Sequence, residues 1–213
     1  MEGWIFLNII IFLRHTEKNN YFRRVILKTI ASKIGDEAIL CSGFFQELFK
    51  ESEYQVTLDG NLSTLLTQSN IRLTTIGIHN SNWMKSYKNF VNNLKNDGVS
   101  HITSYYVSGF KFHAKIYIYK KENNPLLGII GSSNMTRNAF GLSSPFNYEA
   151  DVVLWDDSCE EINELMLKIT KGKSDPYDCI KMQYIPEDNQ GITILDRLRE
   201  LEKMLNNLKL KKI

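Results

Sequence analysis

Phe112-His113-Ala114-Lys115-Ile116-Tyr117-Ile118-Tyr119 is the stretch on which the reading of this chain turns. Apolar and polar residues alternate along it, which predicts a strand from Phe110 to Tyr119 with two unlike faces. In a strand His113 and Lys115 point to the same side and can meet one ligand together. Downstream, Leu126 to Ile130 reads as a buried strand ending in the turn Gly131-Ser132-Ser133-Asn134, and Glu149 opens another strand that runs to Trp155. Singly these pieces are an ordinary strand histidine and an ordinary turn. In this order they bring a nucleophilic imidazole, an ammonium, hydroxyl and amide donors and a carboxylate to neighbouring strand ends. Phosphodiester cleavage needs those groups: an in-line nucleophile, and donors that hold charge on the non-bridging oxygens. His113 would attack, Lys115, Asn134 and a serine of the Ser132-Ser133 pair would hold the phosphate, and Glu149 would fix the imidazole tautomer.

The rest of the chain suits an α/β domain. Its 213 residues can bury one full core, and 43% hydrophobic with 23% charged residues is globular composition. The formal net charge of +2 neither announces nor opposes a polyanionic partner. Cys41, Cys159 and Cys179 form no CxxC pair and leave an odd thiol, which fits a reducing, cytoplasmic setting and no metal site. The run Trp4 to Leu13 is too short to span a bilayer and lacks the basic flank of a signal peptide. It is expected to be a buried strand or helix face, with a membrane anchor as the other reading.

Between these landmarks, Asn19-Asn20 can cap a helix reaching Ile34, whose Arg23 and Arg24 form a first basic cluster. Ala38 to Cys41 reads as a buried strand turning at Ser42-Gly43, and Phe44 to Lys50 as a short amphipathic helix. Asp59-Gly60-Asn61 is a turn, Ile71 to Ile78 a strand, and Trp83 to Leu94 a helix capped at Ser81 or Asn82 and closed by Asp97-Gly98. Val99 to Val107 is a further strand. Lys120 to Pro125 is expected to be a hairpin loop, Met135 to Phe140 a helical turn stopped at Gly141, Ser158 to Lys171 a helix, and Gly172 to Gln183 irregular. Leu198, Leu201, Leu205 and Leu208 recur at intervals of four and three, a short heptad seam expected to pack on its own domain.

His113-Ala114-Lys115, Gly131-Ser132-Ser133-Asn134 and Asn147-Tyr148-Glu149 together resemble the signature of the phospholipase D superfamily. The resemblance implies a mixed β-sheet flanked by helices, with residues 1–171 as the catalytic domain and 172–213 as an extension ending in a helix. It implies a phosphohistidine on His113, phosphate held by Lys115, Ser132 and Asn134, and no metal or cofactor. Many members of the superfamily carry Asp five residues after the lysine, where this chain has Lys120. That loss resembles the nuclease branch, the restriction endonucleases of the BfiI and NgoFVII type, and points to DNA rather than lipid.

The mechanism asks for two histidines, and His15, His79 and His101 are not followed by Lys two positions on. A single motif therefore predicts a homodimer with one shared site; His79, at a strand end, is the rival proton donor. The expected function is a metal-independent type II restriction endonuclease or its nuclease domain, acting on double-stranded DNA, with a cognate methyltransferase in the same system and no membrane partner. Lys111, Ser133 and Arg137, with Arg23 and Arg24, are the further candidates for phosphate contacts. A phospholipid or cardiolipin hydrolase, argued from the apolar N-terminus, and a non-catalytic DNA-binding module are the alternatives.

Overall fold

Four short apolar runs pair into the middle of one nine-stranded mixed sheet, described here for residues 7–109, 111–171 and 177–213 of a computed structural model. The expectations for Trp4 to Phe6, for Phe110 and for Gly172 to Pro176 lie outside the described residues. The strands are β1 (Ile9–Arg14), β2 (Glu37–Cys41), β3 (Arg72–Gly77), β4 (Ile102–Val107), β5 (Lys115–Lys121), β6 (Asn124–Gly131), β7 (Glu149–Trp155), β8 (Cys179–Met182) and β9 (Leu210–Lys212), in spatial order β8-β1-β7-β6-β5-β2-β3-β4-β9. β2, β3 and β4 run parallel and the remaining pairs are antiparallel. The ends of β2, β3 and β6 therefore meet the starts of β5 and β7 along one margin.

The helices are α1 (Tyr21–Ser32), α2 (Leu62–Ser69), α3 (Met84–Asn96), α4 (Arg137–Phe140), α5 (Glu160–Thr170) and α6 (Ile194–Asn206). Alternation along each strand sends one set of side chains to each face. Ile10, Phe12, Leu40, Tyr117, Leu127 and Val153 meet Ile26, Leu66, Phe90 and Ile162 of α1, α2, α3 and α5 in the main core. Ile39, Ile76, Ile116 and Ile118 form a smaller cluster on the opposite face, covered by Leu205 of α6 with Leu201 and Leu208 at its margin. The heptad leucines thus serve their own domain, as expected, although the helix ends at Asn206 and Leu208 lies beyond it.

Several local expectations change. Phe44 to Lys50 is not helical, because its backbone is drawn into tertiary pairs: Phe45 bridges Met135, Glu47 bridges Gln55, and the Glu47 amide donates to Ser86 Oγ at 2.7 Å. The helix α2 follows the expected turn at residues 59–61. β4 starts at Ile102 rather than Val99, and the β5–β6 loop narrows to Glu122-Asn123, both at positive φ (51° and 67°), the geometry of a two-residue hairpin turn. The end of the supposedly irregular segment forms β8 on β1, while β9 extends the opposite edge beside β4.

β5 begins only at Lys115, so His113 precedes the strand instead of lying in it. The apolar run at the N-terminus forms β1 from Ile9, between β7 and β8. Among the described residues no helix is long and apolar enough to cross a membrane.

Candidate active site

His113 and Lys115 meet although the backbone between them is irregular. Lys115 Nζ lies 2.9 Å from His113 Nδ1 and 3.2 Å from Nε2, and it donates to the His113 carbonyl at 2.7 Å. The lysine is 6% exposed, while the imidazole opens to solvent. Burial and then the neighbouring ammonium, with a smaller effect of His79, hold the His113 pKa below its ordinary 6.5. A neutral imidazole keeps the lone pair that a nucleophile needs. Burial also lowers Lys115, and the nearby charge of Glu149 opposes that shift.

Two turns complete the pocket. At the end of β2, Gly43 brings bare backbone against the site: a Cβ there would sit 3.3 Å from Asn134 Oδ1, 3.6 Å from His79 Cβ and 3.7 Å from His113 Cδ2. Asn134 Oδ1 accepts from Ser42 Oγ and from the Phe44 amide, each at 3.2 Å, so the side chain is pinned by its oxygen, and among the described hydrogen bonds none uses its NH2. At the end of β6, Ser132 Oγ donates to Glu149 and accepts from the Ala150 amide at 3.0 Å. Glu149 also accepts from Asn147 Nδ2 at 3.1 Å. Among the described hydrogen bonds Glu149 has none to His113; it acts on Ser132 and, through charge, on Lys115.

Ser133 does not reach the pocket. It is 1% exposed, with its hydroxyl donating to Asp151 Oδ2 at 2.6 Å and its amide to Oδ1 at 3.2 Å. The expectation that Ser133 binds phosphate gives way to a structural role, because neighbouring turn residues point to opposite sides. Asp151, absent from the candidates above, is the group that holds the turn. A Cβ at residue 131 would lie 2.0 Å from its Oδ1, so only glycine lets the carboxylate fold beneath the turn. Burial raises Asp151 to about 6 against the bonds from Ser133. The sequence signal was the alternation of Glu149 and Asp151 on one face of β7, opposite Gly131.

The outer cations are placed differently from one another. Lys111 is exposed near the site end of β5, while Arg137 lines an open hollow with Glu51, Ser52, Glu53 and Tyr54. No described contact joins either to His113. Arg23 pairs with Asp59 at 2.8 Å and is spent inside the fold, while Arg24 lies over the Tyr21 ring and donates to the Ile169 carbonyl at 3.3 Å. Arg14, another unforeseen cation, donates to the Asn138, Ala139 and Gly141 carbonyls at 2.9, 2.7 and 2.8 Å and braces α4. Lys120 is 3% exposed, 2.5 Å from Glu202 of α6 and 3.4 Å from Glu37, and ties that helix to the sheet. His79 is drawn into the site: its ring meets that of His113 edge to face, centroids 4.6 Å apart at 74°. Among the described residues no group of three or more His, Cys, Asp or Glu could hold a metal ion.

A histidine braced by a buried lysine, beside an anchored asparagine and a serine–glutamate pair, thus lies at one margin of a mixed sheet, the arrangement expected of the phospholipase D type. Residues 24–182 match the family described as the NgoFVII restriction endonuclease N-terminal PLD domain, and the chain belongs to that family. It is accordingly a hydrolase, a nuclease by family. Among solved structures it resembles phosphatidylserine synthase of Haemophilus influenzae, at 11% identity over 94% of this chain and 46% of that one, with a TM-score of 0.50. It also aligns with NucT from Helicobacter pylori at 14% identity over 83% of this chain and 99% of that one, TM-score 0.40. Yeast tyrosyl-DNA phosphodiesterase aligns at 13% identity over 73% and 47%, TM-score 0.45. At these identities the synthase carries the fold alone and the other two carry no argument. None of the curated proteins compared matches the chain.

Proposed function

We propose that the protein is a metal-independent endonuclease that cleaves DNA through a covalent phosphohistidine on His113, at a site shared by two copies of the chain. The observation that carries this reading is the contact of Lys115 with a His113 whose pKa is lowered, which favours the neutral, attacking form. A ring nitrogen forms the P–N bond as the P–O bond to the leaving strand breaks, and the leaving oxygen takes a proton. Water then attacks phosphorus, the P–N bond breaks, and the second acid–base group takes the water's proton. Lys115, the Asn134 NH2 and Ser132 stabilise the phosphoryl oxygens, and Glu149 polarises Ser132.

The second acid–base group must face His113 across the phosphorus. That arrangement separates the two reacting nitrogens by roughly 6 Å, with the ring centres farther apart still. With its ring centre only 4.6 Å from that of His113, His79 stands closer than such a facing pair and is the less suited candidate. The His113 of a second copy is therefore the acid we assign, which makes the dimer part of the mechanism. The apolar N-terminal run was the argument for a lipid substrate, and from Ile9 onward it is accounted for by β1, which leaves DNA as the better supported substrate. Recognition of a particular sequence, and a cognate methyltransferase to protect it, belong to the same proposal.

Purified protein incubated with plasmid DNA in EDTA should nick or cut it, and His113→Ala should not. Cleavage that EDTA abolishes and a divalent cation restores would defeat the reading. Sedimentation should find a dimer, and an active monomer would remove the shared site.

A further inference from the structure

The second histidine begins a line of rings that the chemistry leaves unused. From His113 the rings continue to His79 at 4.6 Å, to Trp83 at 6.3 Å, to Phe44 stacked on Trp83 at 4.7 Å and 24°, and to Phe49 at 5.0 Å. Lys50 closes the line, its Nζ 5.5 Å from the centre of the Phe49 ring. His79 is exposed, Trp83, Phe44 and Phe49 are half-buried, and Leu48 beside them is 46% exposed. The main core forms without Phe44 or Phe49, and Trp83 only borders it.

Two turns fix this line relative to the nucleophile. The His79 amide donates to the Gly43 carbonyl at 2.9 Å, and the Phe44 amide donates to Asn134 Oδ1 at 3.2 Å. The asparagine assigned to the phosphate is therefore held by the residue that carries a stacked ring. These bonds tie the phosphate pocket to the ring line, with a cation at the far end.

A phosphodiester in the pocket carries its flanking nucleosides to either side. Base-paired nucleosides have their faces covered by their own stack, whereas an unpaired base has a free face that aromatic side chains can hold. We propose that the rings of Trp83 and Phe44 are a stacking platform for an unpaired nucleobase next to the scissile phosphate, with Lys50 on the following phosphate. The preferred substrate is then single-stranded, or a duplex opened at the cut. This rests on the nuclease reading and replaces the duplex expected on family grounds; sequence recognition and a protecting methyltransferase then apply only where a duplex is opened at the cut. A choline, ethanolamine, serine or glycerol headgroup has no planar ring to place there.

The test compares a single-stranded oligodeoxynucleotide with the same strand made abasic at the nucleosides flanking the cut, using the full chain, Trp83→Leu and Trp83→Phe. In the unaltered protein, removing the bases should raise KM roughly 10-fold, within the range expected for one or two stacked bases. Trp83→Leu should erase most of that difference, and Trp83→Phe should restore much of it, as expected if ring and base are coupled. Equal KM for the two strands in the unaltered protein would overturn the platform. So would a Trp83→Leu variant that still discriminates them, or tighter use of a fully paired duplex than of the single strand. If the unaltered protein cuts no nucleic acid at all, the nuclease reading fails and the platform falls with it.

Discussion

The ammonium of Lys115 rests against the imidazole of His113, 2.9 Å from one ring nitrogen and 3.2 Å from the other. Partial desolvation of the ring opposes its protonation most, and a cation so placed acts in the same direction. The pH dependence follows with a definite sign. One His113 attacks only when neutral and its counterpart in the second copy donates only when protonated, so the pH–rate profile should be bell-shaped with its maximum below the ordinary imidazole value of 6.5. Lys115→Met should lower kcat by roughly 100-fold or more through loss of phosphate stabilisation. It should also move the His113 titration, followed by NMR, upward. An unmoved titration would show that the lysine does not set the charge of the ring.

Gly43 lets backbone approach where a methyl group would press on Asn134 at 3.3 Å and on His113 at 3.7 Å. Gly43→Ala should reduce kcat/KM roughly 10- to 100-fold by displacing the phosphate donors. The melting temperature should change little, because the contacts are with site side chains at the margin of the sheet. A full-rate variant would mean that Asn134 has room to yield.

Asp151 acts through Ser133 as a positioning residue. Its carboxyl is raised by burial to about 6 from 3.8, so the folded state binds a proton that the unfolded chain has released. Stability should therefore fall as pH rises through that window, by on the order of 3 kcal/mol. Thermal melts of Asp151→Asn should lose most of this slope between the same two values. The variant should also lower kcat more than it raises KM, by loosening the turn that carries Ser132 and Asn134.

Lys120 lies five residues after Lys115 and balances Glu37 and Glu202 at the junction of β5 with α6. Lys120→Asp should destabilise the fold by about 3 kcal/mol or more, since it gathers three carboxylates at a poorly solvated point. Denaturant melts measure this, and an unchanged midpoint would remove the structural account of the substitution.

The sheet's inner strands and the site turns were legible in the sequence because local periodicity and tertiary demand agree there. β7 begins at Glu149 and ends at Trp155 as read, and the heptad leucines of α6 lie on their own sheet. What could not be read depends on residues remote in the chain. Phe44 to Lys50 has helical spacing, yet its amides are claimed by Met135, Tyr54 and Ser86. Ser133 looked equivalent to Ser132 until Asp151 bonded it from beneath. Nor could spacing reveal that His79, 34 positions before His113 in the chain, would lie in ring contact with it.

The central claim is that His113 becomes covalently phosphorylated during cleavage. Rapid acid-free quenching of the protein with end-labelled DNA in EDTA, followed by mass mapping of the adduct, tests it most directly. The account predicts a base-stable, acid-labile adduct on the peptide that contains His113, absent from His113→Ala. An adduct on another residue would contradict it, as would full single-turnover cleavage with no adduct under conditions that trap one in a known phosphohistidine enzyme.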